Sequence, residues 1–207
     1  MITIVDCGIG NMGSLINMFA RLDIEAQTAD HPSALASATG IVLPGVGQFA
    51  TAIRELRRRG FAEALAERTL GEGIPLLGVC LGMQMLCRGS EEGGEAGLGW
   101  IDADIVRFRF PTGADERVPN MGWRNVLPAM PSPLFPEQNG PWRFYFAHSY
   151  HARCQDPGVV SATTHHGFSV PAAIASGNVH GVQFHPEKSH RHGLRLLEAF
   201  VQLCTRG

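Results

Sequence analysis

The chain has 207 residues, 44% of them hydrophobic and 17% charged, with a formal net charge of -2. That length buries enough apolar surface to fold without covalent staples, so one domain over 1–207 is expected. The near-neutral balance excludes the basic footprint of a nucleic-acid binder, and 5 cysteines without a CxxC pair exclude a disulfide framework or a zinc ribbon.

At the N-terminus "MITIVDCGIG" has no basic region before its apolar run, and no long hydrophobic segment follows, so a membrane partner is not expected and the cytoplasm is the simplest address. The runs "ITIVD" (2–6), "IVLPG" (41–45) and "PLLGVC" (75–80) read as strands, each closed by a turn and followed by helical sequence, which predicts a parallel sheet. Between the last two, "QFATAIRELRRRG" predicts a helix with Phe49, Ile53 and Leu56 on one side and Gly60 as its stop. From Trp100 to about Phe146 short strands, "DIVRFRF" and "RFYFAHSY", flank a proline-rich stretch and predict an antiparallel extension or flap. The runs "VVSATTHH", "AAIASG" and "VHGVQF" then read as three more strands before a closing helix, in which Leu194, Leu197, Val201 and Cys204 share a face. The expected fold class is α/β: a mostly parallel open sheet flanked by helices, with a smaller antiparallel extension.

With a strand at 75–79 and a helix at 81–88, Cys80 falls on the tight strand-to-helix turn that presents nucleophiles, and Gly78 and Gly82 permit its strained geometry. Free N–H groups at the helix start favour the thiolate, and the backbone N–H of Leu81 would face an oxyanion. The competing reading is a buried structural cysteine. A base is supplied by "VHGVQFHPEKS": His185 follows an apolar strand at the carboxyl end of the sheet, and Pro186 keeps it extended. If strand geometry persists, Glu187 points the same way and orients the imidazole. A His-x-Glu alone is more often a surface or core pair. A metal site at His185 with His148, His165 or His166 is disfavoured by the absence of ligand spacing.

These residues match a family. "PGVG" (44–47), "GVCLGMQ" (78–84) and "GVQFHPEKS" (181–189) resemble the motifs of class I glutamine amidotransferases. More narrowly, "DCGIGN" (6–11), "MGW" (121–123) and "YFAHSY" (145–150) resemble the glutaminase subunits of imidazole glycerol phosphate synthases. The resemblance implies that Cys80 attacks the carboxamide of glutamine, that His185 shuttles protons and that Glu187 orients it. It also implies an oxyanion donor near Val46 or Gly47, and a head-group pocket made with Gln84, Glu92, Ser149 and Tyr150. Gly47 as an ordinary turn glycine, Gln84 as a solvated helix residue, and Glu91 in place of Glu92 remain the alternatives. No cofactor is expected.

The implied partner is a (β/α)8-barrel cyclase subunit, in a heterodimer, that takes the ammonia to convert the ribonucleotide PRFAR to imidazole glycerol phosphate and AICAR. Asn11, Ser14, Trp123 and Lys188 are the candidate contacts, with helix capping an equal reading for the first two. Cys7, Asn120 and Arg124 depart from the family's usual "DYGIGN" and "PHMGWN". Rival readings are a glutaminase of pyridoxal phosphate or anthranilate synthesis, and a dinucleotide binder using Gly8, Gly10 and Gly13 with Asp30. Against the last, "TAD" ends no convincing second strand.

Overall fold

The computed structural model describes residues 1–8, 10, 12–129, 132–138 and 140–205. In chain order its elements are β1 (Ile2–Val5), α1 (Met12–Ala20), β2 (Ala26–Ala29), β3 (Gly40–Gly45), α2 (Phe49–Arg58), α3 (Phe61–Ala66), β4 (Leu76–Cys80) and α4 (Leu81–Met85). They continue with β5 (Cys87–Ser90), β6 (Ile101–Arg107), β7 (Asn120–Pro128), β8 (Trp142–His148), β9 (Tyr150–Cys154), β10 (Val160–His166), β11 (Phe168–Ser176), β12 (Val179–Val182) and α5 (His190–Cys204).

Among the described residues, nine strands form one sheet in the order β2-β1-β3-β4-β12-β11-β10-β7-β8. The pairs from β2 to β12 are parallel, and those from β12 to β8 are antiparallel. Strands β1, β3, β4 and β12 are buried along their whole length, because helices cover both faces of the parallel part. Alternation along each strand divides the core in two. Ile41, Leu43 and Leu76 face α2 and α3 through Phe49, Ile53, Leu56, Phe61 and Leu65. Val42 and Leu77 belong to the opposite cluster, with Leu15 and Phe19 of α1 and Leu196, Leu197 and Phe200 of α5. Leu194, Val201 and Cys204 pack partly buried against that second cluster, so this cysteine is core filler as expected.

Three expectations need correction. The run "TAD" does end a strand: β2 pairs in parallel with β1, Ile2 opposite Ala26 and Val5 opposite Ala29, although Ala-Gln-Thr-Ala has little strand preference of its own. The helix after Cys80 stops at Met85 instead of running to 88. The carbonyls of Met85, Leu86, Cys87 and Arg88 accept from the returning backbone N–H groups of Leu98, Trp100, Gly99 and Gly97, and 87–90 pairs in parallel with β6 as a strand. Finally, the predicted strand "RFYFAHSY" is split at Ser149: β8 belongs to the nine-stranded sheet, whereas β9 joins β5 and β6 in a separate three-stranded sheet. Strand β6 lies in that sheet too, so the antiparallel extension of the main sheet is built by β7, β8, β10 and β11.

Candidate active site

The elbow at Cys80 is enforced by steric contact. Cys80 has φ 56° and ψ -108°, a conformation in which an L-residue is strained, and it ends β4 where α4 begins. A Cβ at Gly82 would overlap the Leu43 carbonyl oxygen, and one at Gly78 would come within 2.8 Å of the Gly82 carbonyl carbon and the Met83 nitrogen. Both glycines are therefore required where β3, β4 and α4 meet. Gly45 lies opposite Cys80 in the β3–β4 register, which carries Val46 and Gly47 to the rim beside the sulfur.

His185 arrives from the other neighbour of β4. Strand β12 pairs with β4 through Val182 opposite Val79, and the chain then runs over the top of the sheet. There the His185 N–H donates to the Tyr145 carbonyl at 2.9 Å, while the Ser189 hydroxyl donates to the His185 carbonyl at 2.6 Å. His185 is extended before Pro186 as expected, but Pro186–Lys188 forms a 3-10 turn, so strand alternation is not what brings Glu187 to it. The turn swings the carboxylate back, and His185 Nδ1 lies 2.8 Å from Glu187 Oε1 with both side chains buried. Cys80 lines the same cleft as the ring and interacts with it. Burial alone would lower the His185 pKa, but the interactions with Cys80 and Glu187, with the charges of the same two groups, outweigh it and hold the ring up at about 9.

Cys80 and His185 open onto a cleft of about 390 Å³ that is also lined by Val46, Gly47, Leu81, Gln84, Glu92, Ser149, Tyr150 and Lys188. With Pro119 and Met121, residues from six separated stretches of sequence thus line one cleft. Gln84 is buried rather than solvated: its amide donates to Gln183 Oε1 at 3.0 Å and to the Tyr150 carbonyl at 3.4 Å. Glu92 faces the cleft and accepts from the Phe49 N–H at 2.9 Å, capping α2, where the preceding Gln48 makes no side-chain cap. Glu91 turns the other way, taking the Arg107 N–H at 2.9 Å and pairing with Arg109, which removes it as the alternative to Glu92.

At the rim, Lys188 Nζ sits 5.8 Å above the Tyr145 ring, and Trp123 meets the same ring edge-on and stacks on His190. Val46, Met121 and Trp123 are exposed apolar side chains there. Ser14 lies within α1 and does not line the cleft, and Asn11 lies outside the described residues. His148, beside Ser149 and Tyr150 in "HSY", and Met121 of "MGW" line the cleft as well, whereas reasoning from sequence missed Gln183 and Pro119. Gln183 is fully buried with its amide 3.9 Å from the Cys80 sulfur, and its signal was a lone polar residue inside the apolar run "GVQF".

The other four cysteines are ordinary thiols, Cys7 and Cys87 buried and Cys154 and Cys204 partly so. Burial pushes Cys7 and Cys204 up to about 12 and Cys154 to about 11, and raises Cys87 as well. Among the described residues, no group of three or more His, Cys, Asp or Glu side chains could hold a metal ion, and no helix is long and apolar enough to cross a membrane. The dinucleotide pattern also lacks its geometry. Gly13, whose counterpart must let helix and strand pack closely, has nothing within 4 Å of an added Cβ.

The Pseudomonas aeruginosa protein named imidazole glycerol phosphate synthase subunit HisH 2 is 43% identical over 203 residues, covering 98% of this chain and 100% of that one. The HisH subunit of Bdellovibrio bacteriovorus is 42% identical over 204 residues, covering 98% and 100%. A crystal structure of a glutamine amidotransferase has the same fold, with a TM-score of 0.76 at 23% identity over 99% of this chain and 100% of that one. The class I glutamine amidotransferase model matches residues 3–203, a span that takes in the elbow, the histidine turn and the strands carrying both, and the chain belongs to that family.

Proposed function

We propose that this chain is the glutaminase subunit of an imidazole glycerol phosphate synthase in histidine biosynthesis, acting as one domain in the cytoplasm. The observation that carries the chemistry is the buried Glu187–His185–Cys80 line ending at the strained elbow in the cleft. The names of its full-length relatives favour this pathway over pyridoxal phosphate or anthranilate synthesis.

His185, whose pKa of about 9 keeps it protonated at neutral pH, holds the proton of Cys80, and in the first half-reaction the sulfur adds to the carboxamide carbon of glutamine. The oxyanion is met by the Leu81 N–H and by a backbone N–H at Val46 or Gly47. Collapse expels the nitrogen, which takes the proton from His185 and leaves as ammonia, with a γ-glutamyl thioester on Cys80. His185 then removes a proton from water, which attacks the thioester, and glutamate departs as Cys80 and His185 return to their starting state. Glu187 keeps the ring in the tautomer that accepts from sulfur and stabilises the imidazolium. Gln84, Glu92, Ser149 and Tyr150 line the remaining wall, where the amino-acid head group of glutamine would lie.

Ammonia must be consumed by a second subunit, which we take to be a (β/α)8-barrel cyclase acting on PRFAR. The exposed Val46, Met121 and Trp123, with Lys188 beside the mouth, support docking there: an aromatic anchor and a cation surround the exit. A closed contact would keep ammonia from being protonated in bulk water. Ser14, by contrast, gains no support from the cleft.

The test is co-purification with the barrel subunit followed by glutamine-driven conversion of PRFAR. A stable complex that turns over ribonucleotide with ammonium salts but not with glutamine would refute the reading.

A further inference from the structure

Behind the Ser149–Tyr150 wall lies a buried polar chain whose protons have only one consistent arrangement. Asn120, fully buried, stands opposite His148 in the β7–β8 register, and its Nδ2 is 3.0 Å from His148 Nε2. His148 Nδ1 is 2.6 Å from the Tyr150 carbonyl, which can only accept, so Nδ1 carries the hydrogen and donates it. With burial pushing the His148 pKa down to about 3, the ring is neutral, and Nε2 is a bare acceptor that needs the Asn120 NH2.

What decides which way the Asn120 amide faces is Arg124. Its Nε donates to Asn120 Oδ1 at 3.0 Å, and a guanidinium has no acceptor. A flipped amide would set N–H against N–H at Arg124 and lone pair against lone pair at His148. The far side of Arg124 is equally committed: Nη2 lies 3.3 Å from His166 Nδ1, and His166 Nε2 donates to the Arg117 carbonyl at 2.9 Å. Hydrogen bonds therefore point outward from one guanidinium, and one branch ends on the Tyr150 carbonyl.

That carbonyl sits where the chain leaves the large sheet for the small one, between β8 and β9, and it also receives Gln84. Ser149 alone links the two strands; its carbonyl accepts from the Phe108 N–H at 3.1 Å and Tyr150 stands opposite Arg107 at the start of β9, so the bonds from His148 and Gln84 fix the Tyr150 carbonyl on the side that faces away from that pairing.

We propose that Arg124 is a positioning residue for glutamine binding: acting through Asn120, it holds His148 as the Nδ1–H tautomer and so sets the Ser149–Tyr150 wall. This rests on the glutaminase reading. Arg124 itself lines a neighbouring cleft of about 590 Å³ with His165 and His166, and it is not among the residues that line the Cys80 cleft.

Two variants separate this role from simple packing. In Arg124→Gln the side-chain NH2 falls at the same bond count as the lost Nε, so the donor to Asn120 survives; in Arg124→Met a methyl takes that place. In the complex with the cyclase, Arg124→Met is expected to raise the glutamine KM about tenfold with kcat within about twofold, the size of one lost charge-assisted hydrogen bond. Arg124→Gln should recover most of it. Long-range ¹H–¹⁵N spectra of the histidine rings of the chain are expected to show His148 with its proton on Nδ1 in the wild type and in Arg124→Gln, and a mixture of tautomers in Arg124→Met.

A wild-type His148 protonated on Nε2 overturns the proposal, whatever the variants do. So does an Arg124→Met enzyme with wild-type KM, or an Arg124→Gln enzyme as impaired as Arg124→Met. Absence of glutamine turnover by the wild-type complex would count against the glutaminase reading, leaving the tautomer spectrum to judge the network.

Discussion

Replacing Glu187 by glutamine removes one negative charge from behind His185 while keeping the size of the side chain. With Nδ1 and Oε1 2.8 Å apart, the two charge centres are separated by about 4 Å, and at an effective dielectric of about 20 their attraction is about 4 kcal/mol. The amide oxygen still accepts from Nδ1, recovering about 1 kcal/mol as a neutral hydrogen bond. The remaining 3 kcal/mol or so corresponds to about a 10²-fold loss in glutamine kcat/KM. Ammonia-driven turnover by the complex should be unchanged, since the cyclase chemistry does not use His185. The folded-state pKa of His185, about 9, lies above its ordinary 6.5, so protonation contributes stability that is fully present below about pH 6.5 and is lost as pH rises through about 9. Glu187→Gln lowers that pKa, so the urea stability gap between wild type and variant should be largest near pH 6 and shrink by pH 9. A kcat/KM loss below about threefold, or an equal fall in the ammonia-driven rate, would refute the reasoning.

Cys80→Ala should abolish glutamine-driven turnover while leaving the ammonia-driven reaction intact; substantial glutamine turnover would remove Cys80 from the nucleophile's role. Gly82→Ala places a methyl against the Leu43 carbonyl in the fully buried β3, and an overpacking cost of about 2–3 kcal/mol should appear as a lower urea midpoint. An unchanged midpoint would contradict the close approach of β3 and α4. Trp123→Ala should weaken binding of the cyclase by about 2 kcal/mol, roughly thirtyfold, with a smaller loss of about 1 kcal/mol in the chain's own stability from the lost contacts with Tyr145 and His190; titration calorimetry measures the first and urea denaturation the second.

Much of the site was legible from short stretches. The elbow needs only two glycines flanking Cys80 at the end of an apolar run, and the extended His185 needs only Pro186 after it. Glu187 was placed correctly for a reason that fails, since a 3-10 turn and not strand alternation brings its carboxylate to the ring. The roles of Gln84 and Glu92 were harder to read, because one is recognised by Gln183 and the other by the Phe49 N–H, far away along the chain.

By itself the sequence determined the features that depend on a few consecutive residues: which runs can be doubly buried strands, where the backbone must turn sharply, and which thiol stands at such a turn. Tertiary structure alone decided the rest. Strand β2 exists because β1 offers it a ladder, 87–90 is strand because β6 pairs with it, and the Ser149 break marks a change of sheet. The physical reason is common to all three. Backbone and buried polar groups must find partners, and when those partners come from distant segments no local preference reveals them.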